Sequence, residues 1–429
     1  MIVHDIGEYQ TLRVPWPTPD RADLHLAEDL ERGGRLAKLR WLHNGHAEIT
    51  TTAWVGVIQF HHCTVNVVPK AAGGNLAVLE MLDYASGINA LRELRAHRRI
   101  DAHGVHLRDL VCLMLARDSD EILRQGPSRN YVTREHALPT LRGRVLADRQ
   151  IRRRFGQLDQ LECRYDELET DHLDNQLLAA GLNVAARIAS AADVRMLARR
   201  VAADFSGLCD PADLDPNDVT TRLHYTRHNE HYRSAHSWSI LLLQAAAVTD
   251  MYGGGQSRCP VFLLDMNRLF EDFTTRLVED ALSGRDVQVR PQARHRSVLL
   301  DETTGRSHGS VIPDLLLARG TGRRAWRRAV DAKYKLYSER NLDPSDIYQT
   351  FLYAQALSRS GSDDQPPTAI IIHPGTPGAS HRLVIRNSEG QYAARIRTLA
   401  LDIPAALDAF SDRHTRDALH TQLEYELTA

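Results

Sequence analysis

Two short apolar stretches joined by a glycine-containing turn place the strongest constraint on the fold of this chain. They are "VIPDLLLA" (311–318) and "RAVDAKYK" (328–335), and "RGTGRR" (319–324) lies between them. Glycines and charged residues between two apolar runs are typical of a turn, so the two stretches are predicted to be neighbouring strands of a hairpin. A fold without a β-sheet in this part of the chain is therefore excluded.

The hairpin belongs to a longer series of elements. In chain order the sequence predicts a helix, three strands, a second helix and a last strand, over residues 261–284, 287–292, 311–318, 328–335, 344–361 and 367–374. This order predicts a mixed α/β arrangement in which helices cover a small sheet.

The second strand of the hairpin carries an acid and a rare lysine. Only four of the 53 basic residues are lysines, and two of them, Lys333 and Lys335, stand in this stretch. Asp331 and Lys333 are two residues apart, so a strand points both side chains to one face, and Asp314 can face the same side. Lys335, two residues further on, would lie on that face as well. Two carboxylates suit Mg²⁺, and a lysine beside them can orient water or stabilise charge during phosphodiester hydrolysis. Arginine would be a poor replacement because it keeps its proton too firmly to transfer one. Alternatively, Asp331 and Lys333 are an ordinary surface ion pair.

The rest of the chain predicts a multidomain α+β protein. At 429 residues the sequence is too long for one core. Strand-like alternation predicts a β-rich N-terminal domain over residues 1–85, and helical spacing predicts a mainly helical middle region over 86–240, with one short strand at 139–145. The C-terminal domain, residues 241–429, contains the hairpin.

Composition excludes several classes of protein. The beginning of the chain, "MIVHDIGEYQ", has no secretory pattern, and the longest apolar run is too short to cross a membrane. The five cysteines are scattered and form no CxxC pair, which argues against a disulfide framework and favours a reducing compartment. We therefore expect a cytoplasmic protein without a membrane partner.

Taken together, the motifs resemble those of a known enzyme superfamily. Pro313-Asp314 and Asp331-Ala332-Lys333 fill the PD-(D/E)xK nuclease pattern, and "DMNRLFEDF" before them is similar to the McrC family, the nuclease subunit of McrBC-type modification-dependent restriction systems. "DIYQTFLYA" resembles the Q-x-x-x-Y element of McrC-like and RecB-like nucleases. The likeness covers about residues 50 to 360. It implies a restriction-endonuclease-like fold for the C-terminal domain.

The resemblance implies a role for each matching residue. Asp314, Asp331 and Glu271 would hold the metal, and Lys333 would act beside it. Gln349 and Tyr353 would share one helix face towards the substrate, unless they are only a packing pair. The cofactor implied is Mg²⁺, for which Mn²⁺ can substitute.

The resemblance also implies partners and a division of labour. The chain lacks a G-x-x-x-x-G-K-[ST] loop, and in McrBC systems an AAA+ GTPase or ATPase of McrB type provides nucleotide hydrolysis and reads the modified base. The implied activity is endonuclease cleavage of modified or foreign double-stranded DNA, together with stimulation of the partner's NTPase. Residues 1–85 would contact the AAA+ ring, and the nuclease domain would form a homodimer.

Basic and histidine clusters give further candidates. Arginines next to aromatic residues are typical of phosphate contacts, and the residues predicted to contact DNA are Lys335, Arg323, Arg324, Arg327 and Arg328. The spacing of His224, His228, His231 and His236 would let two or three of them bind zinc on one helix face. However, no cysteine or acid completes a tetrahedral set.

Two alternatives stay open at this point. One is a stand-alone RecB-like or Cas4-like DNA exonuclease, which would cut DNA ends without a nucleotide or a partner. The other is a non-catalytic regulator of a motor ring, which would stimulate the partner's NTPase but cut nothing. The complete set of Glu271, Asp314, Asp331 and Lys333 favours an enzyme over the regulator.

Overall fold

The structure, a computed structural model, divides into two compact units. The first combines residues 1–107 with 262–429, and the second consists of residues 108–261. The residues described are 2–16, 19–42, 44–61, 63–86, 106–157, 159–210, 214–250, 261–320, 325–337, 341–359, 366–376, 378 and 380–429. Residues 1–85, predicted as a separate domain, thus share one unit with the predicted nuclease region. The function assigned to each predicted domain stays a prediction.

The N-terminal part of the first unit is rich in β-structure, as predicted. Its strands are β1 (Ile2–Gly7), β2 (Thr11–Pro15), β3 (Leu36–Leu42), β4 (His46–Thr51), β5 (Trp54–Gln59) and β6 (Cys63–Val68), and its helices are α1 (Arg21–Arg32) and α2 (Asn75–Ala85). Strands β2, β4 and β3 form a three-stranded antiparallel sheet. Strands β1 and β6 pair in parallel, and β6 pairs with β5 in antiparallel fashion. The alternation of β-branched residues in β6 therefore predicts a strand correctly.

The second unit contains both helices and a sheet. Its helices are α3 (Leu107–Gln125), α4 (Ala147–Arg154), α5 (Leu173–Ile188), α6 (Ala192–Ser206), α7 (Pro216–Arg222) and α8 (Arg233–Asp250), and its strands are β7 (Asn130–Leu138), β8 (Arg144–Val145) and β9 (Leu161–Glu169). Strand β9 pairs with both β7 and β8. The predicted strand at 139–145 is reduced to β8, and the long ribbon of β7 and β9 was not predicted.

The C-terminal part of the first unit contains the predicted helices and strands, but five strands rather than three lie between the two helices. The additional pair, His295–Leu300 and Ser307–Val311, was not predicted. The elements are β10 (Val261–Asp265), α9 (Met266–Leu282), β11 (Gln288–Pro291), β12 (His295–Leu300), β13 (Ser307–Val311), β14 (Leu315–Arg319), β15 (Trp326–Ala332), α10 (Pro344–Leu357), β16 (Thr368–Pro374), β17 (Arg382–Arg386), β18 (Tyr392–Leu401), α11 (Ile403–Ala409) and α12 (Arg413–Thr428). The main sheet has the strand order β11-β14-β15-β16-β18-β17. Strands β14 and β15 are antiparallel neighbours, which confirms the hairpin, and β15 runs parallel to β16.

Packing of α10 against this sheet builds the local core. The side chains of Tyr353, Ala354 and Leu357 on α10 are buried against residues of the central strands, including Leu316 and Ala329. The burial of apolar side chains between helix and sheet stabilises the mixed arrangement. The predicted fold class, a mixed α/β sheet covered by helices, is confirmed.

One predicted helix begins later than expected. The pattern from residue 261 predicts helix throughout, but "VFLLD" forms β10, and α9 begins at Met266. Strand β10 lies beside β5 in a four-stranded sheet. A Cβ atom on Gly56 of β5 would lie 2.1 Å from the carbonyl oxygen of Phe262, so only glycine permits this approach. Pairing with a strand 200 residues away overrides the local helical pattern.

The expectations drawn from composition concern cysteines and membranes. Among the described residues Cys63, Cys112, Cys163 and Cys209 are buried thiols, and Cys259 lies outside these residues. None of the described helices has the length and apolar composition that a membrane crossing requires.

Candidate active site

The register of the β14–β15 hairpin brings the two predicted aspartates together. Leu315 pairs with Val330, so Asp314, which precedes β14, lies alongside Asp331 of β15. The Oδ2 atom of Asp314 accepts a hydrogen bond of 2.6 Å from the backbone N–H of Ala332. This bond holds the Asp314 carboxyl beside β15, the strand that carries Asp331. The sequence prediction that both acids share one face is therefore in agreement with the geometry.

Lys333 joins the two aspartates at the end of β15. Its Nζ atom lies 2.7 Å from Oδ2 of Asp331, and 23% of the lysine side chain is exposed, compared with 2% of the aspartate. The strand ends at Ala332, but the N–H of Lys333 still donates to the carbonyl oxygen of Ile372 in β16. The backbone of the lysine is thus fixed by the sheet, while its ammonium can be approached from solvent.

Burial raises the pKa of both aspartates. Burial is the main cause that raises the pKa of Asp314, followed by the negative charge of Asp331 and, more weakly, that of Glu271. Burial likewise raises the pKa of Asp331, and the ammonium of Lys333 opposes this rise. A pair of neighbouring buried carboxylates that resists full ionisation is typical of catalytic and metal sites.

Glu271, on α9, is linked to Asp314 through Gln292, a residue that the sequence did not indicate. The Nε2 atom of Gln292 donates to Oε1 of Glu271 at 2.9 Å, and the N–H of Gln292 donates to the carbonyl oxygen of Asp314 at 2.8 Å. Gln292 has a φ of 44°, an uncommon left-handed conformation for a residue other than glycine. It therefore bridges the helical acid and the first aspartate. The sequence signal that could have drawn attention to Gln292 is its position directly after Pro291, the last residue of β11.

Gln349 and Tyr353 on α10 form a pair next to the acids. Gln349 Nε2 donates to the hydroxyl of Tyr353 at 2.8 Å, and this hydroxyl donates to the carbonyl oxygen of Ile312 at 3.0 Å. Burial and the charges of Asp331 and Asp314 raise the pKa of Tyr353 to about 12, so the phenol stays protonated. The pair anchors α10 to the residues before Pro313, which is the packing role that the sequence left open. Contact with substrate stays a prediction.

Lys335 lies beyond the end of β15, the strand that carries Asp331. Because β15 ends at Ala332, the chain turns, and the Lys335 ammonium lies 2.7 Å from both Asp343 and Asp346. These acids stand at the beginning of α10, and Tyr337 also donates to Asp346. The expectation that Lys335 shares the face of Lys333 is wrong, since the strand does not extend that far.

The arginines predicted to contact DNA differ in their environments. Arg328 donates to the carbonyl oxygen of Leu427 at 2.7 Å, and its guanidinium packs over Trp326, so it is committed to the protein interior. Arg327 is exposed. Arg323 and Arg324 lie outside the described residues. Of the two described arginines, Arg327 is the one exposed to solvent, as a phosphate contact requires.

The carboxylates fit a magnesium ion, although they do not form a complete cage. No three His, Cys, Asp or Glu side chains in the described ranges converge as a metal-ligand set. However, Mg²⁺ commonly uses only one or two carboxylates together with waters and substrate oxygens. In the same ranges the buried Oδ2 of Asp331 has an ion partner in Lys333 but no further hydrogen-bond donor. Asp314 and Asp331 can therefore act as direct ligands, and the predicted participation of Glu271 stays a prediction.

The histidine cluster of the second unit has a structural environment. His236 is fully buried, its Nε2 lies 3.0 Å from the carbonyl oxygen of Asp174 and its Nδ1 lies 3.2 Å from the hydroxyl of Tyr225. Burial lowers the pKa of His236 to about 4, so the ring is neutral. Within the described part of this unit no histidines gather as ligands, and the zinc interpretation has no geometric support.

Comparisons with known proteins agree with this fold. A family profile described as McrBC 5-methylcytosine restriction system component matches residues 49–373. A solved structure of the half-complex from a tetradecameric assembly of Thermococcus gammatolerans McrB AAA+ hexamers with bound McrC is similar with a TM-score of 0.64 and 19% identity, over 99% of this chain and 99% of that chain. A cryo-EM structure of the Thermococcus gammatolerans McrBC complex matches with a TM-score of 0.48 and 23% identity, over 66% of this chain and 88% of that one. No curated protein gives a significant match.

Proposed function

This chain belongs to the McrBC 5-methylcytosine restriction system component family, and from this premise we propose that it is the metal-dependent DNA endonuclease subunit of such a system. The observation that supports this most strongly is the convergence of Asp314, Asp331 and Lys333 at the end of β15. One buried and one half-buried carboxylate, with a partly exposed lysine beside them, suit the hydrolysis of a phosphodiester better than they suit a structural ion pair.

We assign the roles of the residues from their surroundings. Asp314 and Asp331 would hold Mg²⁺ or Mn²⁺, and Glu271 would approach it through water or directly. When bound, the metal would lower the pKa of a water molecule and offset charge on the phosphate. Lys333 would donate to the scissile phosphate or orient the attacking water, because its ammonium is partly exposed and held by Asp331.

We further propose an AAA+ NTPase partner of McrB type. The similar structure is an assembly of McrB AAA+ hexamers with bound McrC, and this chain shares its fold over nearly the whole length. The family description names 5-methylcytosine, so the DNA that activates the complex would carry this or a related modification. The chain would stimulate the NTPase of the partner, with residues 1–85 facing the ring, and the nuclease domains of two copies would pair to cut both strands.

Replacement of the lysine tests the proposal. The full chain, combined with the AAA+ protein of the same organism, GTP or ATP and Mg²⁺, is expected to cut a plasmid that carries methylated cytosines. Lys333→Ala should lower the rate of cleavage at least about a hundredfold, since a donor to developing charge is lost, while stimulation of the partner's NTPase is retained. The matched control is Lys38→Ala, an exposed lysine of β3, which should cut like the wild type.

The possible outcomes separate this proposal from its competitors. Cleavage of DNA ends by the wild type without nucleotide or partner would indicate an exonuclease. NTPase stimulation without cleavage in Mg²⁺ or Mn²⁺ would indicate a regulator. Undiminished cleavage by Lys333→Ala would show that the catalytic site lies elsewhere.

A further inference from the structure

A buried glutamate from the first strand of the chain reaches the segment that carries the catalytic lysine. Glu8 follows β1 and is only 3% exposed. Its Oε2 atom accepts a 3.0 Å hydrogen bond from the hydroxyl of Tyr334, the residue after Lys333, and a 2.7 Å bond from the N–H of Lys70. These bonds connect the N-terminal strands with the end of β15 across more than 300 residues of sequence.

Tyr334 is placed to support both sides of the candidate active site. It is 4% exposed and its backbone is bonded to that of Lys333, so its position limits the freedom of the lysine. Its ring centroid lies 5.8 Å from that of Phe270, the residue before Glu271 on α9. Rigid contacts of this kind fix catalytic groups within the small tolerances that rapid chemistry requires.

The cost of this arrangement indicates that it is more than general packing. The Oε1 atom of Glu8 is buried and accepts no hydrogen bond from the described residues, and burial raises the pKa of Glu8 to about 7. The next residue, Tyr9, has a left-handed φ of 55°. A half-satisfied buried acid and a strained neighbour are unfavourable for stability, and such features are enriched at functional sites.

We propose that Glu8 is a positioning residue for the nuclease reaction, which acts through its hydrogen bond to Tyr334 to fix the segment that carries Lys333. The inference rests on the proposed function, because Lys333 is the residue being positioned. The N-terminal strands are then part of the catalytic unit. A movement of the N-terminal strands would therefore change the position of Lys333.

The same unit contains a matched pair without a catalytic neighbour. The hydroxyl of Tyr84 on α2 donates to Oδ2 of Asp280 on α9 at 2.7 Å. This pair also joins the N-terminal segment to the C-terminal one, and it also consists of a tyrosine and an acid. Tyr84→Phe therefore measures the effect of losing such a link on stability alone.

A double-mutant cycle on the full chain, with its AAA+ partner and methylated plasmid, tests the proposal. Tyr334→Phe and Glu8→Ala should each lower kcat about tenfold with KM for DNA unchanged, the size expected for one lost hydrogen bond. The double variant should fall no further than the single ones, because both act through one contact. Glu8→Gln keeps an acceptor oxygen and should retain at least about half of the activity. Tyr84→Phe should keep the wild-type kcat.

Amide hydrogen exchange provides a readout that does not depend on cleavage. In the full chain alone, Tyr334→Phe should accelerate exchange in the peptide that contains residues 331–337, and Tyr84→Phe should not. An additive, hundredfold loss in the double variant, or wild-type kcat in Tyr334→Phe, would overturn the inference. If the wild-type chain cuts no DNA, the proposed nuclease fails, and unchanged exchange in Tyr334→Phe would then refute the positioning role separately.

Discussion

Two polar sites, one in each unit, hold their side chains in opposite ways. In the second unit the amide of Asn175 donates to the carbonyl oxygens of Ser128 and Thr170 and accepts from the hydroxyl of Tyr232, at 2.7–2.9 Å. In the first unit the carboxyl groups of Asp314 and Asp331 adjoin, and burial together with the negative charge of Asp331 raises the pKa of Asp314. The first arrangement complements every group with a partner, whereas the second sets like charges together.

The difference distinguishes polar residues that stabilise the fold from polar residues that would bind a ligand or take part in catalysis. A fully complemented network contributes to a unique fold and has no spare capacity for a ligand. A buried pair of acids opposes folding, and it is retained where a cation or a proton completes it. We therefore expect stability and activity to respond in opposite directions when the two regions are altered.

The largest expected effect comes from Asp331→Asn. The amide keeps the size of the side chain but removes a charge that would hold the metal, so we expect the rate of DNA cleavage to fall about a thousandfold. The free energy of unfolding without metal should stay equal or rise by about 1 kcal/mol, because the repulsion with Asp314 is relieved. Plasmid cleavage and urea unfolding of the same preparation check both statements. A loss of several kcal/mol would make Asp331 a structural residue.

Asn175→Ala should show the opposite behaviour. Three hydrogen bonds are lost and the buried hydroxyl of Tyr232 loses the oxygen to which it donates, so we expect the free energy of unfolding to fall by about 3 kcal/mol. The activity per folded molecule should be unchanged. Urea unfolding measures the loss, and Asp166→Ala, an exposed acid bonded to Thr133, is the control with an expected change within about 0.5 kcal/mol. Loss of cleavage by folded Asn175→Ala would contradict the division.

The buried Glu8 makes the free energy of unfolding depend on pH. Its pKa is raised from 4.5 to about 7 on folding, so the folded chain keeps a proton that the unfolded chain releases above pH 4.5. Stability is therefore lost as the pH rises from about 4.5 through 7. Relative to Glu8→Gln, the wild type should lose about 2 kcal/mol of unfolding free energy between pH 5 and pH 8. Urea unfolding at both pH values measures this difference, and parallel curves would show that Glu8 ionises freely in the folded chain.

The hairpin that carries Asp314 and Asp331 could be predicted because its determinants are local. Turn residues mark the hairpin, and the two-residue period of a strand places Asp331 and Lys333 on one face. The register that adds Asp314 needs only the adjacent strand. Each of these relations spans fewer than 20 residues of sequence.

The errors and omissions share a dependence on distant partners. "VFLLD" becomes a strand because β5 lies beside it, and nothing in the five residues reports this neighbour. Glu8 and Gln292 belong to the surroundings of the site only because other elements fold onto them. Lys335 was placed on the wrong face because β15 ends at Ala332 and the lysine is held by the acids at the beginning of α10. Periodicity describes the interior of an element but not where its neighbours end it.

The smallest expected effect is on the salt dependence of DNA binding. It should distinguish Lys335, which is held by two acids, from the exposed Arg327. Lys335 is held by Asp343 and Asp346, so Lys335→Ala should leave the salt dependence of DNA binding unchanged. Arg327 is exposed, and if it contacts a phosphate, Arg327→Ala should reduce the slope of log affinity against log salt by about 1, through the loss of one released counterion. Titration of a labelled duplex at several salt concentrations measures both slopes. A reduced slope for Lys335→Ala would mean that the lysine leaves its two acids to bind DNA, and the region after β15 would then be part of the DNA-binding surface.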